Sequence, residues 1–331
     1  MSKIIIIGSG FGGLTCGYIL QRNGYDVTIL EQGVQIGGCL QCFSRKGAKF
    51  ETGMHFIGSA KPDQTIGQIM RYFGILDNIT LSALDSDGYN TVSLAGDIFR
   101  FPNGREPFLE RFAGYFPKER DALVKYLNIV DKIAKSSTLN SLTSEQRDTF
   151  ADTSYHSLSI NSVMDSIFKD ELLKNALVGD LPLYAAELDK TPFSQHAYIM
   201  DFYNNSSFRI EGGSDAIATI LATNIRQMGG EVLTRKRVAK VCCNETKAIG
   251  VITDDEVFYG ADYVISTIHP NRLLEMLETK LIRPAFRSRI CNIPQTTSCF
   301  AVYLKFKEGA MPYMNTNYYG YATNSPWNCE S

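Results

Sequence analysis

Residues Ile4–Leu20 read IIIIGSGFGGLTCGYIL, preceded by Lys3 and followed, after Gly24, by YDVTILE over Tyr25–Glu31. An uncharged run of this length imitates a secretory signal or a short membrane span. Gly8, Gly10, Gly12, Gly13 and Gly17 argue against both, because each would weaken an inserted helix. The other parse is a buried strand over Ile4–Ile7, a glycine turn, and a helix over Gly12–Asn23. In that parse Gly8, Gly10 and Gly13 fit G-x-G-x-x-G directly after the strand and at the mouth of the helix. The first glycine allows a tight turn, the second admits a pyrophosphate to the backbone, and the third lets helix and strand pack closely. With Ser9, Phe11 and Gly12 they surround a helix N-terminus, whose free N–H groups and positive dipole end suit phosphate. Tyr25–Glu31 reads as the second parallel strand. Glu31, followed by Gln32, stands at about the spacing where an acid binds ribose hydroxyls. No arginine lies beside it in sequence, which disfavours a 2′-phosphate. Together these features predict a dinucleotide site.

A chain of 331 residues accommodates roughly two domains. Its formal charge of −2, with acids and bases interspersed, offers no single-sign field for nucleic acid, so a neutral or mildly charged small molecule is the expected partner. Eight cysteines at irregular positions, including adjacent Cys242 and Cys243, do not resemble a disulfide framework. They imply a reducing compartment, read as the cytoplasm.

A second glycine pair, Gly37 and Gly38, opens GGCLQCFSRKGAKFETGMHFIG. The Cys39-x-x-Cys42 spacing invites a zinc reading, yet no second C-x-x-C pair exists and the four histidines are scattered, so no metal is expected. A redox disulfide of the flavin disulfide reductase kind would need wider cysteine spacing and a second nucleotide fingerprint. Oxidation of Cys39 and Cys42 within a loop remains an alternative. His55 reads equally as a satisfied core histidine or as a ligand contact.

The order GSGFGGL, LEQ, GGCLQCFSRKG, FETGMHFIG resembles the flavin-dependent amine oxidase and phytoene desaturase superfamily. Within it, GGC, Phe43, Phe50 and TGMHFIG are similar to the retinol saturases, the all-trans-retinol reductases. The resemblance implies FAD, with the Gly37–Gly38 loop on its pyrophosphate and Gly53, Met54 and His55 approaching the flavin ring. The two cysteines then become loop residues.

Farther along, Asp63 is placed to cap a helix with Ile66, Ile69, Met70 and Phe73 on one face, and YNTVSL and IFRF suggest short strands. KERDALVKYLNIVDKIAKS and SINSVMDSIFKDELLKNALVG carry apolar helical stripes, predicting a largely helical insertion over Leu81–Tyr203. In RIEGGSDAIATILATNIRQMGGEVLTRKRVAKV, Ser214 is positioned to cap a helix with Ile217, Ile220, Leu221 and Ile225 on its buried face. Strands EVLT, AIGVIT and DYVIST follow. By resemblance this block returns to the FAD domain, Val238 holds the adenine end through its backbone, and Ser266–Pro270 (STIHP) lies beside it. Ile268 and His269 depart there from the family's alanine and acid. TPFSQHAYIMDFY, with His196 and Tyr203, is expected to border the substrate cavity, and TSCFAVYLKF to form a strand of the substrate sheet.

The implied fold class is α/β: a Rossmann-like, three-layer FAD-binding domain with a parallel sheet (1–80 and 204–270) and an inserted α+β substrate domain (81–203 and 271–331). The implied activity is reduction of a C=C bond in a polyene or isoprenoid by flavin hydride transfer. Carotenoid desaturation or isomerisation, amine oxidation and a non-catalytic nucleotide-binding remnant are the alternatives. Amine oxidases usually have an arginine where this chain has Cys39. The electron donor is a nicotinamide nucleotide, NAD(P)H, or another reductant, and an apolar substrate suggests peripheral membrane contact. His196, Tyr198 and Tyr203 are candidate proton donors, none singled out as catalytic. The family's late G-D motif is absent from YATNSPWNCES, so the chain is expected to be the N-terminal part of a longer product or a truncated one.

Overall fold

The structure, a computed structural model, describes residues 1–137 and 153–327. Residues 138–152 of the expected helical insertion and the last four of YATNSPWNCES lie outside them. In chain order the first elements are β1 (Lys3–Ile7), α1 (Phe11–Arg22), β2 (Asp26–Leu30), β3 (Cys42–Arg45), β4 (Ala48–Glu51), β5 (Ile57–Gly58) and α2 (Thr65–Tyr72). Then come β6 (Leu81–Ala83), β7 (Asn90–Leu94), β8 (Asp97–Phe101), α3 (Arg105–Tyr115), α4 (Arg120–Ser136), α5 (Ile160–Ile167), α6 (Glu171–Leu177), α7 (Phe193–Asn205) and β9 (Ser207–Ile210). The remainder are α8 (Asp215–Gln227), β10 (Glu231–Leu233), β11 (Val238–Cys243), β12 (Ala248–Thr253), β13 (Phe258–Gly260), β14 (Tyr263–Ser266), α9 (Pro270–Met276), α10 (Pro284–Cys291) and β15 (Asn317–Tyr321).

Two compact units result. One comprises Met1–His55, Ile69–Thr80 and Ile210–Tyr303; the other comprises Phe56–Gln68, Leu81–Arg209 and Leu304–Ser331. In the first, a parallel sheet runs in the order β10-β2-β1-β14. Ile4–Ile7 of β1 are all buried, the pattern of a central strand covered on both faces. Helix α1 crosses from β1 to β2 and packs on α8. A separate antiparallel sheet, β11-β12-β13, contributes Val238, Val241 and Val251 to a core shared with Ile5, Ile7 and Leu30. The N-terminal run is therefore strand, turn and helix, and among the described residues no helix is long and apolar enough to cross a membrane.

In the second unit, helices α3–α7 surround the mixed sheet β15-β7-β8, where β15 pairs parallel to β7 and β8 pairs antiparallel to it. Its core is aromatic: Phe101, Phe108, Phe112, Tyr126 and Phe193 are fully buried. Each such ring contributes roughly 2–3 kcal/mol through burial alone. The stripe residues Leu123, Tyr126, Leu127, Val130, Ile133 and Ala134 are the buried face of α4.

Three boundaries differ from the sequence expectation. Residues 204–209 and Phe56–Gln68 belong to the second unit, where β5 pairs with β9 (Ile57 opposite Phe208). Residues 271–303 belong to the first, because Leu273, Leu274 and Met276 of α9 pack into its interior and the Arg287 guanidinium of α10 donates to the Leu274 and Leu277 carbonyls at 2.6 and 2.8 Å. The expected strand in TSCFAVYLKF does not form: Thr297–Phe306 is exposed and belongs to no sheet. Alternation alone does not make a strand, since the ladder hydrogen bonds require a neighbour.

Candidate dinucleotide site

The turn between β1 and α1 is built by close approach. A Cβ on Gly13 would lie 2.1 Å from the Gly8 carbonyl oxygen, so only glycine lets α1 come this near β1. A Cβ on Gly10, by contrast, would have nothing within 4 Å. The backbone at Gly10 faces open space. Opposite it lies the second glycine pair: the Gly37 N–H donates to the Ser9 carbonyl at 2.9 Å, and a Cβ on Gly38 would come within 3.1 Å of the Gly10 Cα. The two glycine segments, far apart in sequence, thus form one backbone cradle. Gly12 and the half-exposed Phe11 open the helix at its mouth.

Glu31 closes the end of β2. One carboxylate oxygen accepts from the Ser9 N–H and hydroxyl at 3.0 and 2.6 Å, and the other accepts from the Gly33 N–H at 2.7 Å. Ser9 is completely buried, and its hydroxyl serves Glu31. A carboxylate has about four acceptor positions, so Glu31 retains capacity for a ribose hydroxyl. Beside it is a pocket of about 500 Å³ lined by Gly8, Glu31, Gln32, Val238, Ile268 and His269. His269 also caps α9, accepting from the Asn271 N–H at 3.3 Å.

The fold brings Lys236, Arg237 and Arg272 to the same pocket, so the absence of an arginine next to Glu31 in sequence misjudges the surroundings. These cations pair with Asp255, Asp254 and Glu275 respectively. The physical case against a 2′-phosphate therefore shifts from a lack of cations to their being matched by acids. Their link to the site was available in sequence only through Val238, two residues after Lys236.

The stretch 37–58 folds as a tight loop and a hairpin, β3–β4. Gly53 and Met54 lie on the Cys39 side: the Met54 N–H donates to the Cys39 carbonyl at 3.1 Å, and a Cβ on Gly53 would meet that oxygen at 2.8 Å. They do not line the pocket beside Glu31. His55 is exposed, with Nδ1 3.3 Å from the Gly53 carbonyl, which removes the core-histidine reading. Cys39 is exposed and Cys42 buried, and neither is in a disulfide. Burial and then a hydrogen bond to Glu51, 2.9 Å away, push the Cys42 thiol up, the opposite of what a nucleophile needs. Among the described residues no three histidines, cysteines or acids gather as a metal site.

Glu51 was not evident as important from sequence. Ser214 does not cap α8 with its own side chain; Glu51 accepts from the Ser214 N–H at 2.9 Å and also from its hydroxyl. Lys49 pairs with Asp215 at 2.6 Å. Helix α8 is thereby fastened to the hairpin, and its Ala218 backs Gly37, where an added Cβ would lie at 3.0 Å.

The expected cavity-lining residues of the second unit behave differently. His196 is buried between two tyrosine hydroxyls, Tyr126 at 2.8 Å from Nε2 and Tyr184 at 3.0 Å from Nδ1. Loss of hydration holds its pKa down to about 4, so it is neutral and structural. An apolar helix stripe carried it inward. Tyr203 packs on Phe56 with ring centroids 4.4 Å apart, and burial pushes its pKa up to about 12.

The backbone cradle, open at Gly10, and the adjoining pocket with its ribose-compatible acid fit a dinucleotide. Residues 11–328 match the family of flavin-containing amine oxidoreductases, and the chain belongs to it. That membership makes the dinucleotide FAD. More particularly, the chain is similar to the all-trans-retinol 13,14-reductases of rat (29% identical, 96% of this chain and 56% of that protein) and human (30%, 75% and 43%). It spans about half the length of these relatives. A 4,4′-diapolycopen-4-al dehydrogenase of Metabacillus indicus is 21% identical over 91% of this chain and 61% of that protein. Among solved structures, an oxidoreductase from Methanosarcina mazei shares the fold, with a TM-score of 0.65 at 20% identity over 88% of this chain and 65% of that one.

Proposed function

We propose that this chain is the FAD-binding part of an oxidoreductase that reduces a C=C bond in an apolar polyene or isoprenoid. The observation carrying the proposal is that likeness to a retinol 13,14-reductase extends over 96% of the chain. Gly8, Ser9, Gly10, Phe11, Gly12 and Gly13 would receive the pyrophosphate together with Gly37 and Gly38. Glu31 and Gln32 would hold the ribose, Val238 would border the adenine, and Gly53, Met54 and His55 would lie toward the flavin. When bound, FAD supplies hydride chemistry at its ring, accepting two electrons from a donor such as NAD(P)H and delivering them to a conjugated carbon. The protein's share is to position the cofactor and exclude water, while the neighbouring carbon takes a proton from solvent or a side chain. The second unit would carry the substrate region. A substrate dissolved in lipid would bring a cytoplasmic protein to the membrane face.

The test is the visible spectrum of the purified chain after incubation with FAD and desalting, followed by anaerobic reduction and addition of all-trans-retinol or lycopene. Retained flavin and loss of the polyene absorbance are expected. A colourless protein would favour a non-catalytic nucleotide-binding remnant. Retained flavin that is reduced by amines but leaves polyenes unchanged would favour amine oxidation.

A further inference from the structure

Glu51 sits where three pieces of the first unit meet: the Gly37–Gly38 loop, the β3–β4 hairpin and the start of α8. The hairpin side grips the loop through its carbonyls. The Thr52 N–H and hydroxyl donate to the Gln41 carbonyl at 3.1 and 2.7 Å, and the Met54 N–H donates to that of Cys39. On the other side, α8 sets Ala218 against Gly37, and the Ser214 hydroxyl lies 3.1 Å from the Leu40 carbonyl. Glu51 joins the two sides. Its Oε1 accepts from the Ser214 N–H, and its Oε2 accepts from the Ser214 hydroxyl and, at 2.9 Å, from the Cys42 thiol. Leu40, Cys42 and Ser214 are buried, so these bonds form away from water, where an unpaired donor costs most. Lys49 adds a second tie, donating to Asp215 and to the Gly212 carbonyl, both at 2.6 Å.

A carboxylate that reached only Ser214 would serve the start of α8 and nothing more. Here one oxygen also holds Cys42, at the exit of the glycine loop. Gly37 and Gly38 have φ of +111° and +57° and no side chain to fix them, so the path of the loop is set by what clamps its ends. Gly37 is tied to Ser9 at one end, and Leu40 and Cys42 are tied to Ser214 and Glu51 at the other. We propose that Glu51 is a positioning residue for the cofactor: without touching FAD, it clamps the Gly37–Leu40 loop between hairpin and α8 so that the loop backbone stands at the pyrophosphate. This rests on the reading that places Gly37 and Gly38 there. By linkage the clamp and the cofactor stabilise each other, so bound FAD in turn holds Cys42 in place.

FAD titration and FAD release from the full chain, with peptide-resolved alkylation of Cys42, test it. Glu51→Gln keeps an acceptor for the Ser214 N–H but sets an amide donor against the hydroxyl and the thiol. It should weaken FAD affinity about tenfold, mostly through faster release. Ser214→Ala, a milder change at the same clamp, should weaken it about threefold. Bound FAD should slow Cys42 alkylation about tenfold in the parent, and that protection should disappear in Glu51→Gln. With Lys49 and Asp215 unchanged, losing the acid should also move the pH midpoint of Cys42 alkylation down, because Glu51 helps to hold the thiol up. His196→Ala, which destabilises the other unit, should leave FAD release and Cys42 protection as in the parent; equal losses there would reduce Glu51 to general stability and overturn the proposal. Parental release and protection in Glu51→Gln, where Gly38→Ala loses FAD affinity, would overturn the role of Glu51 but keep the loop at the pyrophosphate. Unchanged affinity in both variants, or a parent that binds no FAD, would overturn the loop placement and the proposal together.

Discussion

At Gly13 in the nucleotide unit, one added methyl carbon would lie 2.1 Å from a backbone oxygen; at His196 in the helical unit, the constraint is two tyrosine hydroxyls at 2.8 and 3.0 Å from an imidazole. The first site is shaped by the absence of side chains, and the second by the matching of side chains to one another. This contrast suggests different consequences of substitution. Changes in the cradle should separate ligand binding from stability wherever the backbone is open, whereas changes in the helical core should affect stability without directly removing a cofactor contact.

The largest expected effect is Gly13→Ala. The clash with the Gly8 carbonyl forces α1 away from β1, and FAD affinity should fall by at least about 100-fold together with thermal stability. Gly13→Ala with unchanged stability and flavin content would break the comparison at its strongest point. Next is His196→Ala, which leaves two buried hydroxyls without their partner and opens a cavity. A loss of about 3 kcal/mol is expected in denaturant unfolding, while FAD affinity in the still-folded protein stays within about threefold.

The same unit sharpens the contrast through pH. His196 has a folded pKa of about 4, below its ordinary value of 6.5, so its contribution is present above pH 6.5 and is lost as pH falls through about 4. Asp180 is buried near the tyrosines, and loss of hydration raises its pKa from 3.8 to about 7. Its contribution is fully present below pH 3.8 and is lost as pH rises through about 7. Asp180→Asn should therefore gain roughly 2 kcal/mol relative to the parent between pH 5 and pH 8 in paired denaturation curves. A constant difference across that interval would exclude Asp180 as the source. The smallest stability effect is expected at Gly10→Ala: folding should change by less than about 0.5 kcal/mol, yet FAD binding by fluorescence titration should weaken about tenfold.

Much of the nucleotide unit was legible because its rules are local. The β1-turn-α1-β2 order, the glycine spacing and Glu31 lie within about thirty residues, and each glycine has a distinct steric reason. The cap of α8 was not legible, because Glu51 and Ser214 are 163 positions apart and Ser214 is by itself a plausible cap. Lys236, Arg237 and Arg272 were missed for the same reason: local spacing around Glu31 contains no information about which distant strand end faces it. In the helical unit, apolar periodicity identified the buried face of α4 but did not distinguish a cavity-lining histidine from one enclosed by tyrosines. For TSCFAVYLKF, alternation stated which side chains could share a face, but not whether a neighbouring strand would be present.

The pairing of β1 with β14 has a further consequence during biosynthesis. The Asp262 side chain accepts from the Lys3 N–H across a sequence separation of 259 residues, and Ile4 faces Tyr263 in the adjoining ladder. At roughly 5–20 residues per second, the ribosome needs on the order of ten to fifty seconds to make the second strand after the first. During that interval β1 can pair with nearby β2, but its opposite edge has no native partner. The nascent chain must keep one of its most apolar strands away from other strands until the intervening helical unit has been synthesised, so chaperone demand should be set by this delay as much as by the stability of the finished fold.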